Sequence, residues 1–305
     1  MGEQVTPPVR GRPRPSRRKL RTRRGIALVG LLGALAVVGW LGSLALGALR
    51  DSAPPPAPTV APPPKPLKIV FPEGFTIEQM AERIGAVNEI AKERRNVTPK
   101  LSASEYTRLT RRSKLPGTFA GDGKSRTLEG FLFPATYEFL PKTTTRQLVN
   151  KQLVAFQKAW DRLDLSYAKS KNLTPYDVLI IASMVEKETL APDERPKVAA
   201  VIYNRLKAGM TLGIDATLRY GLDIPPTESI RQSQLESDNP YNTRKLPGLT
   251  PTPIANPGLA SLQAAAHPAR VDYLFFARKP DRVHHFFTAS EAEFLRYLAE
   301  HGYGR

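Results

Sequence analysis

Cysteine is absent from all 305 residues, which removes disulfides, thiol nucleophiles and Cys-ligated zinc together. The absence also suits a compartment in which a free thiol would be oxidised. Acidic residues are few beside basic ones, 28 against 45, for a formal charge of +17. The deficit is sharpest at the start, where Arg10, Arg12, Arg14, Arg17, Arg18, Lys19, Arg21, Arg23 and Arg24 face Glu3 alone. This arm, residues 1–24, has no interleaved aromatics and no nucleic-acid-binding module. It reads as a topology signal and lipid-headgroup contact, and no nucleic-acid partner is expected.

Charge is missing altogether from Gly25 to Leu49. At about 1.5 Å per residue such a helix would reach roughly 37 Å, enough to cross a hydrocarbon core of about 30 Å. A single N-terminal transmembrane helix is therefore expected over residues 25–49. The positive-inside rule puts the arm in the cytoplasm and the C-terminal part outside it, at the cell (inner) membrane. A cleaved twin-arginine signal around Ser16–Arg21 is the other reading. The apolar run is long for that, and no clear Ala-x-Ala precedes the proline-rich stretch. Residues 50–67, with eight prolines between Pro54 and Pro66, cannot pack a core and read as a semi-rigid polyproline stalk.

The folded part is expected to be α+β. Lys68 to Phe75 reads as a short strand closed by a glycine turn, and Thr76-Ile-Glu-Gln79 as a capping box opening an amphipathic helix. A small strand–helix subdomain is placed at 68–126 and a larger mixed domain at 127–305. Helices are expected over 145–163, 174–190, 195–208 and 291–301, with strands over 273–277 and 284–287. The irregular stretch 238–258 is too long for a simple connection and is expected to wall a cleft.

The most informative stretch is Thr174 to Thr189. Thr174 is a good N-cap, Pro175 suits the first helical position, and Asp177 stands three residues after the cap. Val178 to Ala182, Met184 and Val185 are apolar, as in a helix buried all round, yet the helix ends in Glu186 and Glu188. A carboxyl carried into apolar surroundings has its pKa raised and can stay protonated near neutrality, as a general acid must. The two glutamates point roughly 200° apart, so at least one can be an ordinary solvated or ion-paired residue. Helical facing does not choose between them.

Ile181-Ala-Ser-Met-Val-Glu-Lys-Glu-Thr189 resembles the active-site helix of the endolytic murein transglycosylases, the MltG or YceG-like family. Further segments agree in order: 128–137 (LEGFLFPATY), 201–206 (VIYNRL), 215–221 (DATLRYG), 241–243 (YNT), 253–258 (PIANPG) and 264–269 (AAAHPA). The sequence departs from the family at Ala216, at Thr250-Pro-Thr252 and at Glu291-Ala-Glu293. No role is carried onto the last of these.

The resemblance implies a LysM-like character for the 68–126 subdomain and a transglycosylase catalytic domain for 127–305. It also implies endolytic cutting of nascent peptidoglycan strands and cooperation with peptidoglycan synthases. Glu188-Thr189 is similar to the Glu-Ser pair of other lytic transglycosylases, which assigns the catalytic role to Glu188. Glu186, Asp215, Thr217, Tyr220, Tyr241, Asn242 and Thr243 are the supporting or substrate-binding candidates, since amides, hydroxyls and aromatic faces suit pyranose rings. Each can equally be a turn or cap residue.

One acid suffices for such an enzyme: after Glu188 protonates the bridging oxygen, the C6 hydroxyl of the same N-acetylmuramic acid attacks C1. A hydrolytic muramidase would need a second carboxylate, with Asp215 the leading candidate. A non-catalytic wall-binding scaffold would leave Glu188 structural. No cofactor and no metal are called for; His284 and His285 are adjacent and would face opposite sides of a strand.

Overall fold

The computed structural model describes residue 30, residues 32–44, residue 46 and residues 65–119 and 125–302. The chain divides into residues 1–63 and residues 64–305. In the first unit residues 32–44 are helical (α1), with Leu32, Val38, Trp40 and Leu41 exposed. Among the described residues no helix is long and apolar enough to cross a membrane. The expected span 25–49 lies partly, and the basic arm and most of the stalk wholly, outside the described residues.

The second unit opens with β1 (Leu67–Val70), α2 (Ile77–Arg95) and α3 (Ala103–Arg111), and β1 pairs antiparallel with β4 (Thr136–Phe139). Leu67 and Ile69 face inward opposite Phe139 and Tyr137, while Lys68 and Glu138 pair across the exposed face at 3.2 Å. The expected capping box forms: the Thr76 hydroxyl accepts from Gln79 N–H, and the Gln79 side chain accepts from Thr76 N–H. A small ladder of β2 (Ser113–Lys114) and β3 (Ser125–Arg126) lies between α3 and β4 in sequence. The β1–β4 ladder joins residues from both sides of the 126/127 boundary.

The remainder is helical around one core. α4 (Thr145–Trp160) and a 3-10 turn at Gly117–Phe119 bring Phe119, Phe131, Phe156 and Trp160 together, with ring centroids 4.8–5.9 Å apart. The Tyr106 hydroxyl of α3 donates to Gln152 of α4 at 2.8 Å, so a buried polar pair joins the layers without an unmet group. After the short α5 (Ser166–Ser170) comes α6 (Pro175–Glu188), in which all residues from Val178 to Val185 are buried. Its start is as the sequence dictates: Thr174 and Asp177 exchange hydrogen bonds at 3.2 and 2.8 Å.

α6 is surrounded by α7 (Arg195–Lys207), α8 (Asp215–Gly221) and α10 (Leu259–Ala266), which is why it is apolar on every face. α9 (Gln232–Leu235) is a single turn. β5 (Phe275–Arg278) and β6 (His285–Thr288) form an antiparallel ladder with Arg278 opposite His285, and α11 (Glu291–Glu300) closes the chain. The helices expected over 145–163, 174–190, 195–208 and 291–301 and the strands expected over 273–277 and 284–287 occur, with ends within three residues of expectation.

Candidate functional site

Two glutamates leave the last turn of α6 in different directions, and their surroundings separate them. Glu186 enters the protein: its Oε2 accepts from Gly258 N–H at 2.9 Å, and its Oε1 lies 3.7 Å from Arg195. Gly258 is the N-cap of α10, so Glu186 meets a donor that the helix itself cannot satisfy. Arg195 is held in turn by Ser261 at 3.2 Å. Glu73 approaches this cluster as well, and burial, then the Glu186 charge, push its carboxyl up. Glu186 is a tie between two helix ends.

Glu188 is different. It is part-buried at the C-terminus of α6, and burial pushes its carboxyl up to about 7, with Asp215 adding to the effect. Arg278, the Ala216 N–H and Arg244 act the other way. Asp215 and Ala216 are the first residues of α8, Arg244 lies in the irregular segment after Tyr241, and Arg278 is on β5. Arg244 Nε donates to Asp215, and Arg278 Nη2 donates to the Glu188 carbonyl at 3.4 Å. Thr189 Oγ1, next in the chain, is buried and has no hydrogen-bond partner among the described residues. A protonatable carboxyl flanked by one carboxylate and two guanidinium groups can donate a proton and afterwards be stabilised as the anion.

The other candidates fall into two groups. Thr217 and Thr243 are buried and share a hydroxyl contact at 2.9 Å; Thr243 also accepts from Ile214 N–H at 3.0 Å. Asn242 is buried and donates to the Leu235 and Ser237 carbonyls at 2.9 and 2.8 Å. Thr217 and Thr243 fasten the segment leading into α8 and Asn242 fastens the turn after residues 232–235, so the polar groups of all three are used inside the chain. Tyr220 and Tyr241 pack with ring centroids 5.2 Å apart, and their hydroxyls meet Glu129 at 3.3 Å and Thr252 at 2.8 Å. Asp215 alone of the supporting set stands beside Glu188.

Sequence reasoning missed Glu129. It has no exposed surface, accepts from Ile77 N–H at 3.1 Å, Asn256 Nδ2 at 2.6 Å and the Tyr220 hydroxyl, and burial pushes it up to about 8. Asn256 also receives Gly130 and Leu132 N–H, each at 2.9 Å. Arg244 and Arg278 were missed as well, because nothing local in the sequence marks them. The one signal for Glu129 was its place in the 128–137 segment. His284 pairs with Asp281 at 2.9 Å, while His285 is buried against Glu194 at 2.7 Å. The hollow between β4 and α4, lined by Tyr137, Gln147, Asn150 and Val154, contains no carboxylate or imidazole.

The sequence model of the YceG-like family matches residues 50–300. The chain is similar to an endolytic murein transglycosylase of Bacillus subtilis (strain 168), 33% identical over 238 residues, covering 77% of this chain and 63% of that protein. An endolytic murein transglycosylase of Streptococcus pneumoniae (strain R6) is 31% identical over 247 residues, covering 76% of this chain and 44% of its own length. This chain thus spans less than two thirds of either relative. The crystal structure of a YceG-like protein from Listeria monocytogenes matches with a TM-score of 0.57 at 27% identity, over 78% of this chain and 77% of that one. With the family match running from the proline-rich stretch into α11, this chain belongs to the YceG-like family.

Proposed function

We propose that this chain is a membrane-anchored endolytic lytic transglycosylase of peptidoglycan. It cuts the β-1,4 bond from N-acetylmuramic acid to N-acetylglucosamine and leaves a 1,6-anhydro end. The observation that carries the reading is Glu188, a carboxyl pushed up to about 7 at the end of a buried helix, beside Asp215 and the Ala216 N–H. The relatives named endolytic murein transglycosylases support the substrate class.

In the first step Glu188 gives its proton to the bridging oxygen as the C1–O bond breaks, and positive charge develops on the muramic ring. Asp215 supplies an opposing charge at that moment, where fixed charges act most strongly. Glu188 is now a carboxylate, stabilised by the Ala216 N–H and by Arg278 and Arg244. It takes the proton of the C6 hydroxyl as that oxygen bonds to C1. Intramolecular attack has a high effective concentration, so no nucleophilic carboxylate and no water are needed.

The order β1, α2, α3 and then, after the β2–β3 ladder, β4 puts two helices between paired strands and supports the LysM-like reading of this part. The exposed apolar side chains of α1 support a membrane anchor in residues 25–49, since large apolar surfaces seldom face water without purpose. On this reading the C-terminal part lies outside the cytoplasm, limits the length of nascent strands, and cooperates with peptidoglycan synthases. A reporter fused after Arg305 that works only in the cytoplasm would contradict the topology.

A hydrolase using Asp215 as second carboxylate is the other reading that an observation favours, because Asp215 lies beside Glu188. Mass spectrometry of murein digested with the purified protein separates the two. Anhydro-muropeptides support transglycosylation, free reducing ends support hydrolysis, and no release at all supports a scaffold.

A further inference from the structure

Two guanidinium groups reach Glu188 from elements far apart in sequence, Arg244 from the segment after α9 and Arg278 from β5. A third, Arg205, sits close behind, committed to the carbonyls of Leu212 at 2.8 Å and Leu274 at 2.5 Å and pushed down by burial and then by the Arg244 charge. The carboxyls facing Arg244 are Asp215 and Glu188, and the reaction needs Glu188 neutral. Positive charge beside an acid favours its ionised form, so Arg278 and Arg244 work against the first step. Arg244 engages Asp215 through Nε only; no hydrogen bond of its Nη1 or Nη2 occurs among the described residues. The Arg244 side chain is 45% exposed, so those atoms can be reached from solvent.

Murein can supply an anion for the Arg244 Nη atoms. The muramic sugar carries, through its lactyl ether, a peptide stem with free carboxylates close to the scissile bond. We propose that Arg244 and Arg278 form an anion subsite beside Glu188 that takes a carboxylate of this stem; the proposal rests on the transglycosylase reading. Guanidinium groups match carboxylates in charge and in the spacing of their donors, so the contact fixes the sugar as well as attracting it.

The contact also acts on the acid. The groups facing Glu188 are Asp215 and the Ala216 amide from α8, Arg244, and Arg278 from β5. A bound carboxylate offsets the two guanidinium charges, so Glu188 keeps its proton to higher pH in the complex. By reciprocity, protonated Glu188 favours binding of the stem.

The test uses the full chain and two substrates: strands with free stem carboxylates, and the same strands with those carboxylates converted to amides. Amidation is expected to lower wild-type kcat/KM about tenfold, mainly through KM. Arg244→Gln and Arg278→Gln should each lose about tenfold on free-acid strands, and a variant carrying both should lose nothing more on amidation. Arg244→Lys should recover part of the loss. For wild type on free-acid strands, the basic limb of kcat should lie at higher pH than that of kcat/KM, and the two should coincide on amidated strands.

Equal losses by the variants on both substrates would overturn the proposal, pointing to a phosphoryl group or to disturbed Asp215. Indifference of the wild type to amidation would overturn it too. Wild type that releases no anhydro ends from either substrate would instead overturn the transglycosylase reading, and the subsite with it.

Discussion

The Tyr220 hydroxyl donates to the buried Glu129 carboxyl at 3.3 Å, and so ties α8 to a hub assembled from three other segments. Glu129 holds the first turn of α2 through Ile77 N–H and the 253–258 stretch through Asn256. α8 begins with the Asp215 and Ala216 that flank Glu188, so the hub sets the position of one wall of the site. Glu129→Ala should cost about 3–5 kcal/mol by denaturant unfolding, since it strands several buried donors at once. Glu129→Gln, which can still accept and donate, should cost less.

The same residue makes stability depend on pH. Its folded pKa of about 8 lies above the ordinary carboxyl value of 4.5, so the folded state binds a proton that the unfolded state has released. Stability from this group is therefore full below about 4.5 and falls as pH rises towards 8. Unfolding free energies measured at both ends of that window should show a smaller difference in Glu129→Gln than in wild type. An unchanged difference would mean that Glu129 is ionised throughout.

Gly130, next in the chain, has φ +90°, and a Cβ there would lie 2.7 Å from Pro253 Cγ and 3.2 Å from Leu179 Cδ2. The close approach lets the 253–258 stretch lie on the Glu129 segment, so Gly130→Ala should destabilise by about 2–4 kcal/mol. Gly85, inside α2, would meet nothing within 4 Å. Gly85→Ala should raise stability by about 0.5–1 kcal/mol through helix propensity. Thermal melts of the two variants moving in the same direction would contradict this.

Glu186 and Glu188 should fail differently. Glu186→Ala removes the partner of Gly258 N–H and the ion pair with Arg195, so the melting temperature should drop, with a cost of about 1–3 kcal/mol. Glu188→Gln removes a carboxyl that burial disfavours in its charged form, so above pH 7 it should leave stability unchanged or raised. A melting temperature that falls more for Glu188→Gln would reverse the assignment.

Much of this was legible where the information is local. Thr174, Pro175 and Asp177 mark the start of α6, and Thr76 with Gln79 marks that of α2, because a cap is a contact between residues three apart. The unbroken apolar run of α6 likewise announces a helix covered on all sides. What could not be read depends on distant pairings. Glu129 meets partners 52, 91 and 127 residues away, and β1 finds its neighbour across two helices. Asn242, Thr217 and Thr243 illustrate the converse: their chemistry suits a sugar, yet the fold uses it to pin backbone. The choice between Glu186 and Glu188 rested on resemblance, and the geometry supplies a separate reason, one carboxyl tied to a helix end and the other beside Asp215.

On the proposed mechanism Glu188 acts as a protonated acid, so kcat/KM on murein should fall as pH rises through about 7, with no matching fall in far-UV circular dichroism. A rate that keeps rising to pH 9 would mean that the acid lies elsewhere.

The most direct measurement is the yield of 1,6-anhydro-muropeptides, by mass spectrometry, from murein treated with wild type and with Glu188→Gln at equal concentration. Glutamine keeps the shape and the Ala216 contact but cannot donate the proton that the leaving oxygen requires. The account predicts that the variant loses at least about a hundredfold in rate while its melting temperature holds, and that Glu186→Gln loses far less. A Glu188→Gln protein that releases anhydro ends at the wild-type rate would contradict it.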